Sequence, residues 1–176
     1  MTNAELSEMN KGRCINQICY VTDDYRRTIT FLYEKLDFGP WKVLEFSEQN
    51  TQNIRLYGVL QDEPFAFMVA LCKIGEVQIE VIQPIRGNTV YDRYLKERGC
   101  GIHHIKEKKP RPEAETLLAE WQQNGLEEAF YGDGFMGIGD RDSFWYLDTY
   151  EALGAYYEIG NCPPVVLPEE AYFVWP

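Results

Sequence analysis

Four residues with oxygen or nitrogen donors stand inside apolar stretches that are typical of buried β-strands: Gln17, Glu80, His104 and Glu158. Such donors, without a thiolate, favour a divalent ion such as Zn²⁺, Ni²⁺, Co²⁺, Mn²⁺ or Fe²⁺, and two carboxylates neutralise its charge. A six-coordinate ion would keep two positions for water or substrate. These residue types therefore predict one divalent metal site, provided that the fold brings the four side chains together.

The alternation of side chains along a strand assigns each donor to a face. Val77, Ile79 and Val81 suit a face that a helix covers, which sends Glu80 to the opposite face. The same alternation separates Glu158 from its two apolar neighbours. The donors are thus expected on one face of a sheet whose other face packs against helices.

The residue before His104 is a second histidine, His103. In a regular strand, adjacent side chains point to opposite faces. We therefore expect His104 to be the ligand and His103 to be a packing or supporting residue. A register slip of one residue would exchange the two roles.

The elements that must position these donors follow an order that occurs twice: a strand, a helix and then several strands. The two series are separated by a polar stretch at 88–98 that is predicted to be helical. The first series is predicted as a strand at 14–21, a helix at 25–36 and strands at 41–46, 54–60, 65–74 and 77–83. The second is predicted as a strand at 101–106, a helix at 112–123 and strands at 126–131, 144–148 and 155–160.

This repetition predicts an α+β fold of two βαβββ modules, at 12–86 and 99–162, that together form one cup. The residues around Gln17 match those around His104, so the two donors occupy equivalent strands. Glu80 and Glu158 each lie in the last strand of a module. Two pairs of equivalent positions would therefore converge inside the cup. The remaining segment, 163–176, is predicted as a tail without regular structure that packs on the surface or against a partner subunit.

Composition restricts the partners and the compartment. The formal charge of −11 makes nucleic acid an unlikely partner, although a local cationic group can still attract a small anionic substrate. Neither a signal peptide nor a membrane span is predicted. Five scattered cysteines are expected to be reduced thiols, which indicates a cytoplasmic protein.

Several segments resemble the vicinal-oxygen-chelate superfamily, which includes glyoxalase I, methylmalonyl-CoA epimerase, ring-cleaving dioxygenases and bleomycin-resistance proteins. The resemblance extends over 12–160 and is most specific at Ile79–Pro84, at Gly101–Ile105 and around Leu147–Thr149. The double histidine looks like the epimerase, although the epimerase usually has histidine where this chain has Gln17. A Gln, Glu, His, Glu set is similar to animal glyoxalase I. Ring-cleaving dioxygenases and fosfomycin-type resistance enzymes need two histidine ligands, which strand alternation disfavours here.

What the resemblance implies is a metal-dependent isomerase or epimerase that moves a proton at the carbon next to a carbonyl or an acyl thioester. A glyoxalase I-type lyase is the alternative among enzymes. A metal-free protein that binds a small molecule such as an antibiotic is the alternative outside enzymes. The resemblance also implies a small-molecule substrate and a homodimer.

Within that resemblance, Glu158 is the expected base, with Glu80 next by symmetry. A second catalytic glutamate is expected after the second strand, where Glu48 is the candidate and Glu45 lies equally near. Gly132–Gly137 reads GxGxxG but does not link a strand to a helix, so we interpret it as a loop over the cup rather than a dinucleotide site.

Overall fold

The chain folds into an α+β structure built on a single curved and unclosed sheet, as the sequence predicts. This computed structural model describes residues 1–9, 11–134, 143–160 and 169–176. The strands are β1 Ile15–Val21, β2 Trp41–Ser47, β3 Gln52–Leu56, β4 Val59–Leu60, β5 Ala66–Ile74, β6 Val77–Arg86, β7 Gly101–Lys108, β8 Glu128–Asp133, β9 Phe144–Leu147, β10 Tyr156–Gly160 and β11 Phe173–Trp175. The helices are α1 Asn3–Met9, α2 Tyr25–Leu36, α3 Val90–Arg98, α4 Arg111–Gln123 and α5 Tyr150–Leu153, with a 3₁₀ turn at Glu169–Ala171.

Strands β1 and β7 lie antiparallel at the middle of the sheet. On one side of this pair β6 runs parallel to β1 and is followed by β5 and β2. On the other side β10 runs parallel to β7 and is followed by β9 and β8. The strand order is therefore the same in both directions from the β1/β7 pair, which is the arrangement expected of a duplicated unit.

One face of the sheet, the outer face, carries helices α2 and α4. Asp24 begins α2, because its side chain accepts a hydrogen bond from the amide of Arg27. The buried Ile29 of α2 packs with Ile79 and Val81 of β6, which confirms the predicted helix-covered face. Leu118 of α4 packs in the same way against the strands of the second half of the sheet.

The opposite face, the inner face, packs against α3, the helix that joins the two halves. Thr89 caps α3 and accepts a hydrogen bond from the Asp92 amide. Tyr91 and Tyr94 of α3 lie in a buried cluster with Cys19 and other inner-face residues. The linker helix therefore covers the face on which the candidate ligands lie.

The predicted strand at 54–60 is a hairpin, not one strand. Tyr57 and Gly58 have φ of 48° and 75°, and two successive positive φ values form the tight turn that joins β3 to β4. Strand β3 pairs with β8 of the second half, so this insertion lies at the far edge of the sheet. Sequence alternation alone did not reveal the turn because Tyr rarely adopts positive φ.

The prediction that the tail forms no regular element was wrong for its last residues. Strand β11 pairs antiparallel with β2 and extends the sheet. Trp175 packs against the α2 side and lies 5.7 Å from the ring of Tyr33, measured between centroids. The tail therefore completes an edge of its own sheet. The loop predicted at 132–137 was wrong for its first two residues, which belong to β8, and residues 135–137 lie outside the described residues. No described helix is long and apolar enough to span a membrane.

Candidate metal centre

The four donors expected from the sequence lie on the inner face of the four central strands. Strand β1 supplies Gln17, β6 supplies Glu80, β7 supplies His104 and β10 supplies Glu158. His104 Nε2 lies 3.0 Å from Glu158 Oε2, 3.1 Å from Glu80 Oε2 and 3.3 Å from Gln17 Oε1. The fold thus gathers all four residues around one imidazole nitrogen.

The register of the central strands explains why they meet. Ile18 lies opposite Ile105, and this pair marks the local two-fold relation between the halves. Gln17 then pairs with Lys106 just as His104 pairs with Cys19. Gln17 and His104 therefore occupy equivalent positions, as the sequence alignment of the two halves indicates.

Burial removes this group of side chains from water. His104 is fully buried, and Gln17 and Glu158 are almost fully buried. The side chain of Glu80 is 13% exposed, which makes it the most accessible of the four. Charges in such a site interact through a low effective dielectric, so each needs a partner.

His103 does not point to the opposite face, and that expectation was wrong. The pairing between β1 and β7 skips His103, which is the extra residue of a β-bulge. A bulge interrupts the alternation of side chains. His103 Nδ1 consequently lies 2.9 Å from His104 Nδ1, and the two rings pack edge to face.

The two histidines of this contact have pKa values shifted in opposite directions. Burial, followed by the charge on His104, holds the pKa of His103 well below its usual value, so His103 is neutral. Burial also opposes the charged form of His104, but the carboxylates of Glu158 and Glu80 outweigh it and raise the pKa of His104. If His104 Nε2 binds a cation, the proton of the His104 ring must be on Nδ1. That N–H group can then donate a hydrogen bond to His103 Nδ1.

Lys106 is a member of the group that the sequence analysis did not identify. It is 1% exposed, and its Nζ lies 3.0 Å from Glu158 Oε1. Burial raises the pKa of Glu158, but the charges of Lys106 and His104 outweigh it and lower the pKa below its usual value. The signal was present, because Lys106 stands two residues after His104 and must share its face.

Cys19 is the second member that the sequence analysis missed. It is fully buried, pairs laterally with Glu80 on β6 and with His104 on β7, and stands two residues after Gln17. Its Sγ, a carboxylate oxygen of Glu80 and a ring nitrogen of His104 lie within 4.8 Å of one another. The expected set contained no thiolate because a cysteine in an apolar strand is usually a packed thiol.

Aromatic side chains surround the group on the inner face. The hydroxyls of Tyr91 and Tyr146 are 2.8 Å apart and both side chains are buried. The ring of Tyr146 lies 4.7 Å from that of His104, measured between centroids. These two tyrosines bring hydroxyl groups to an otherwise apolar wall.

Glu48 does not join this group. Its Oε1 accepts a hydrogen bond from Arg86 at 2.9 Å and its Oε2 accepts one from the amide of Phe65 at 3.1 Å. The Arg86 contact lowers the pKa of Glu48. These contacts tie the end of β2 to neighbouring segments, so the catalytic role expected of Glu48 is not supported by its position. Glu45 is exposed on β2.

The donor set fits a divalent ion. Three oxygens surround His104 Nε2 within 3.3 Å, but one nitrogen carries at most one proton and cannot satisfy three acceptors. Gln17 Nε2 donates to Gln78 Oε1, which turns the amide oxygen of Gln17 toward His104. A cation would satisfy these converging acceptors, and both zinc and manganese accept imidazole and carboxylate ligands.

Comparison with known proteins agrees with this architecture. Residues 16–129 match the family model described as the glyoxalase/bleomycin resistance protein/dioxygenase superfamily. No curated protein sequence matches the chain.

Solved structures with the same fold share little sequence with the chain. A hypothetical protein from Bacillus halodurans is 20% identical, with 85% of this chain and 94% of that chain covered and a TM-score of 0.55. A methylmalonyl-CoA epimerase variant from Streptomyces coelicolor, in complex with 2-nitronate-propionyl-CoA, is 17% identical, with 82% and 94% covered and a TM-score of 0.53. A 4-hydroxymandelate synthase variant from the same organism is 16% identical, with 92% and 40% covered and a TM-score of 0.55. Identities this low indicate a common fold.

Proposed function

Because this chain belongs to the glyoxalase/bleomycin resistance protein/dioxygenase superfamily, we propose that it is a metal-dependent isomerase or epimerase. Its reaction moves a proton at the carbon next to a carbonyl or acyl thioester. The observation that carries the proposal is the convergence of Gln17, Glu80 and Glu158 on His104 Nε2. The similarity of fold to an epimerase bound to an acyl-CoA analogue supports an acyl thioester as the substrate class.

In this proposal Gln17, Glu80, His104 and Glu158 hold one divalent ion of Zn, Ni, Co or Mn. The bound ion supplies a Lewis acid for the carbonyl oxygen of the substrate. The negative charge that develops on that oxygen then lies in a water-poor site, where electrostatic stabilisation is strongest.

Glu158 is assigned as the base that takes the proton from the α-carbon. A carboxylate buried among apolar groups is normally protonated, and a protonated carboxyl cannot act as a base. The charge of Lys106 lowers the pKa of Glu158, and protonated His104 adds to this effect in the metal-free site. In the loaded site the positive charge of the ion would take the place of that of His104, so Glu158 is ionised in both states. The hydroxyls of Tyr91 and Tyr146 stand next to the group and can donate a hydrogen bond to the substrate.

A glyoxalase I-type lyase acting on a hemithioacetal is the second candidate enzyme. It is favoured by Gln17, whose amide oxygen faces His104 at the position where an epimerase usually has a histidine. Both reactions transfer a proton next to a carbonyl and need the same ion and base. They differ in the substrate, so substrate screening separates them.

A metal-free small-molecule binding protein is the candidate outside enzymes. With His104 protonated, the positive charges of His104 and Lys106 equal the negative charges of Glu80 and Glu158 without any ion. The aromatic inner face could then hold an aromatic or cationic ligand. Metal content distinguishes this candidate from both enzymes.

The test is metal analysis of protein purified without added metal, followed by deuterium exchange from D₂O into acyl thioesters and hemithioacetals. We expect close to one equivalent of a divalent metal and exchange at the α-carbon of one substrate class. His104→Ala should lose the metal, whereas the matched control Glu48→Ala should keep it. A wild type that cannot be loaded with any divalent metal would contradict the proposal and favour the binding protein. The homodimer and the packing of the tail against a partner subunit stay predictions, tested by the molar mass in solution with and without 171–176.

A further inference from the structure

We infer that Cys19 is a ligand of the divalent ion, so that the site prefers thiophilic ions such as Zn²⁺, Co²⁺ and Cd²⁺ over Mn²⁺ and Mg²⁺. The inference rests on the metal site of the proposed function and deepens it. It adds a sulfur donor from β1 to the oxygen and nitrogen donors of the neighbouring strands.

The position of Cys19 between two other donors supports this assignment. In the sheet its lateral neighbours are Glu80 on β6 and His104 on β7. The three donor atoms lie within 4.8 Å of one another. Zinc binds sulfur at about 2.3 Å and imidazole nitrogen at about 2.0 Å in tetrahedral geometry, so these two ligand atoms are about 3.5 Å apart in a zinc site. Side-chain rotations that shorten the longest of these separations by about 1 Å would place all three around one ion.

The neighbours of Glu158 favour a position of the ion nearer to Cys19. Lys106 occupies the position equivalent to Cys19 in the other half, and its ammonium engages Glu158 Oε1. A cation is repelled from that oxygen by the ammonium. Glu80, the equivalent glutamate of the first half, has the Cys19 thiol as its lateral neighbour instead. Cys19, Glu80 and His104 therefore form the core of the site, and Gln17 Oε1 or Glu158 Oε2 can complete it.

A sulfur ligand changes which ions bind. Thiolates select zinc and other soft or borderline ions, whereas carboxylate and amide oxygens also accept manganese and magnesium, so a sulfur ligand widens the preference for zinc over manganese. A site with Gln17, Glu80, His104 and Glu158 alone would bind Mn²⁺ readily. The same site with Cys19 would bind Zn²⁺ and Cd²⁺ much more tightly than Mn²⁺.

Optical spectroscopy of the Co²⁺-loaded and Cd²⁺-loaded protein tests the inference directly, because a metal-bound thiolate gives a near-ultraviolet sulfur-to-metal charge-transfer band. We expect the band in the wild type and its loss in Cys19→Ser. Cys72→Ser is the matched control, since Cys72 is a buried cysteine in the outer-face cluster, and it should keep the band. Zn²⁺ affinity should fall at least about tenfold in Cys19→Ser, with a smaller change for Mn²⁺.

The outcomes separate this inference from the proposed function. One equivalent of bound Co²⁺ without the band, or a band unchanged in Cys19→Ser, would overturn the role of Cys19 and leave the metal site in place. Failure to bind Co²⁺, Zn²⁺ or Cd²⁺ would contradict the metal site itself. If Cys19→Ser does not fold, X-ray absorption of the Zn²⁺-loaded wild type decides, because a Zn–S distance of about 2.3 Å is either present or absent.

Discussion

The two halves of the sheet place an equivalent glutamate beside chemically different neighbours. In the first half Glu80 lies next to the thiol of Cys19, and in the second half Glu158 lies next to the ammonium of Lys106. The strands and their register are the same, so the difference comes from one side chain in each half. A duplicated scaffold has thus acquired one carboxylate with a fixed cationic partner and one without it. We expect the two glutamates to have different functions for this reason.

The largest expected effect follows from the base role of Glu158. In Glu158→Gln the deuterium exchange rate should fall by about 10² to 10⁴, because a positioned base contributes that much. Gln keeps the shape and can still coordinate through its amide oxygen. Exchange is measured by mass spectrometry of the substrate in D₂O.

The comparison with the first half provides the control for this experiment. Glu80→Gln should lose metal affinity more than Glu158→Gln does, if the ion lies on the Cys19 side. Rates are therefore compared only between samples with one bound metal. Near wild-type exchange in the metal-loaded Glu158→Gln protein would assign the base role to Glu80.

The second effect concerns stability and tests the Lys106–Glu158 pair. Lys106→Met removes one partner of a buried ion pair and should reduce the free energy of unfolding by about 3 to 5 kcal/mol. The equivalent change in the first half, Cys19→Ala, removes a smaller uncharged group and should cost less. Urea denaturation of the metal-free proteins measures both. Equal losses in the two variants would show that the halves do not differ in this respect.

The third effect concerns the β-bulges, which also occur at equivalent positions. The pairing of β1 and β7 skips Asn16 before Gln17 just as it skips His103 before His104. His103 contacts the ring of His104, whereas the buried Asn16 Oδ1 has no hydrogen-bond partner among the described residues. His103→Ala should therefore weaken metal binding by about 10- to 100-fold, as residues that orient a ligand do.

Asn16→Ala is the control and should leave metal affinity nearly unchanged. Isothermal titration with Zn²⁺ measures both variants, and His103→Gln should restore part of the loss because its side chain can still accept a hydrogen bond. A variant His103→Ala with wild-type affinity would mean that the bulge only packs the aromatic cluster. Strand alternation alone would place His103 away from the ligands, and the bulge is the reason why an effect is expected.

The sequence predicted the fold and the helix-covered face because these depend on regular periodicity. Residues 25–36 were predicted as a helix and form α2, and Ile79 and Val81 pack against it as expected. The convergence of Gln17, Glu80, His104 and Glu158 was likewise accessible from alternation and duplication. The orientation of His103 could not be predicted from alternation, because a bulge depends on pairing with another strand rather than on local sequence. Lys106 and Cys19 were accessible by alternation, but their residue types usually indicate an exposed charge and a packed thiol.

The smallest expected effect concerns the β3–β4 hairpin, through which the first half pairs with β8 of the second half. Arg55 of β3 joins Glu128 of β8 through two hydrogen bonds of 3.0 and 2.9 Å, and its guanidinium lies 3.9 Å from the centre of the Tyr131 ring. Arg55→Ala should reduce the free energy of unfolding by about 1 to 2 kcal/mol, since both a paired carboxylate and a cation–π contact are lost.

Arg55→Lys tests which part of this contact matters. Lysine keeps the positive charge but cannot form the two-point contact with Glu128, so it should recover only part of the loss. Arg27→Ala is the surface control, because its ion pair with Asp23 is exposed and should contribute only about 0.3 to 0.5 kcal/mol. If Arg55→Ala and Arg27→Ala have the same effect on urea unfolding, the hairpin is held to β8 by backbone pairing alone. The side chains of the hairpin would then add nothing to the contact between the two halves.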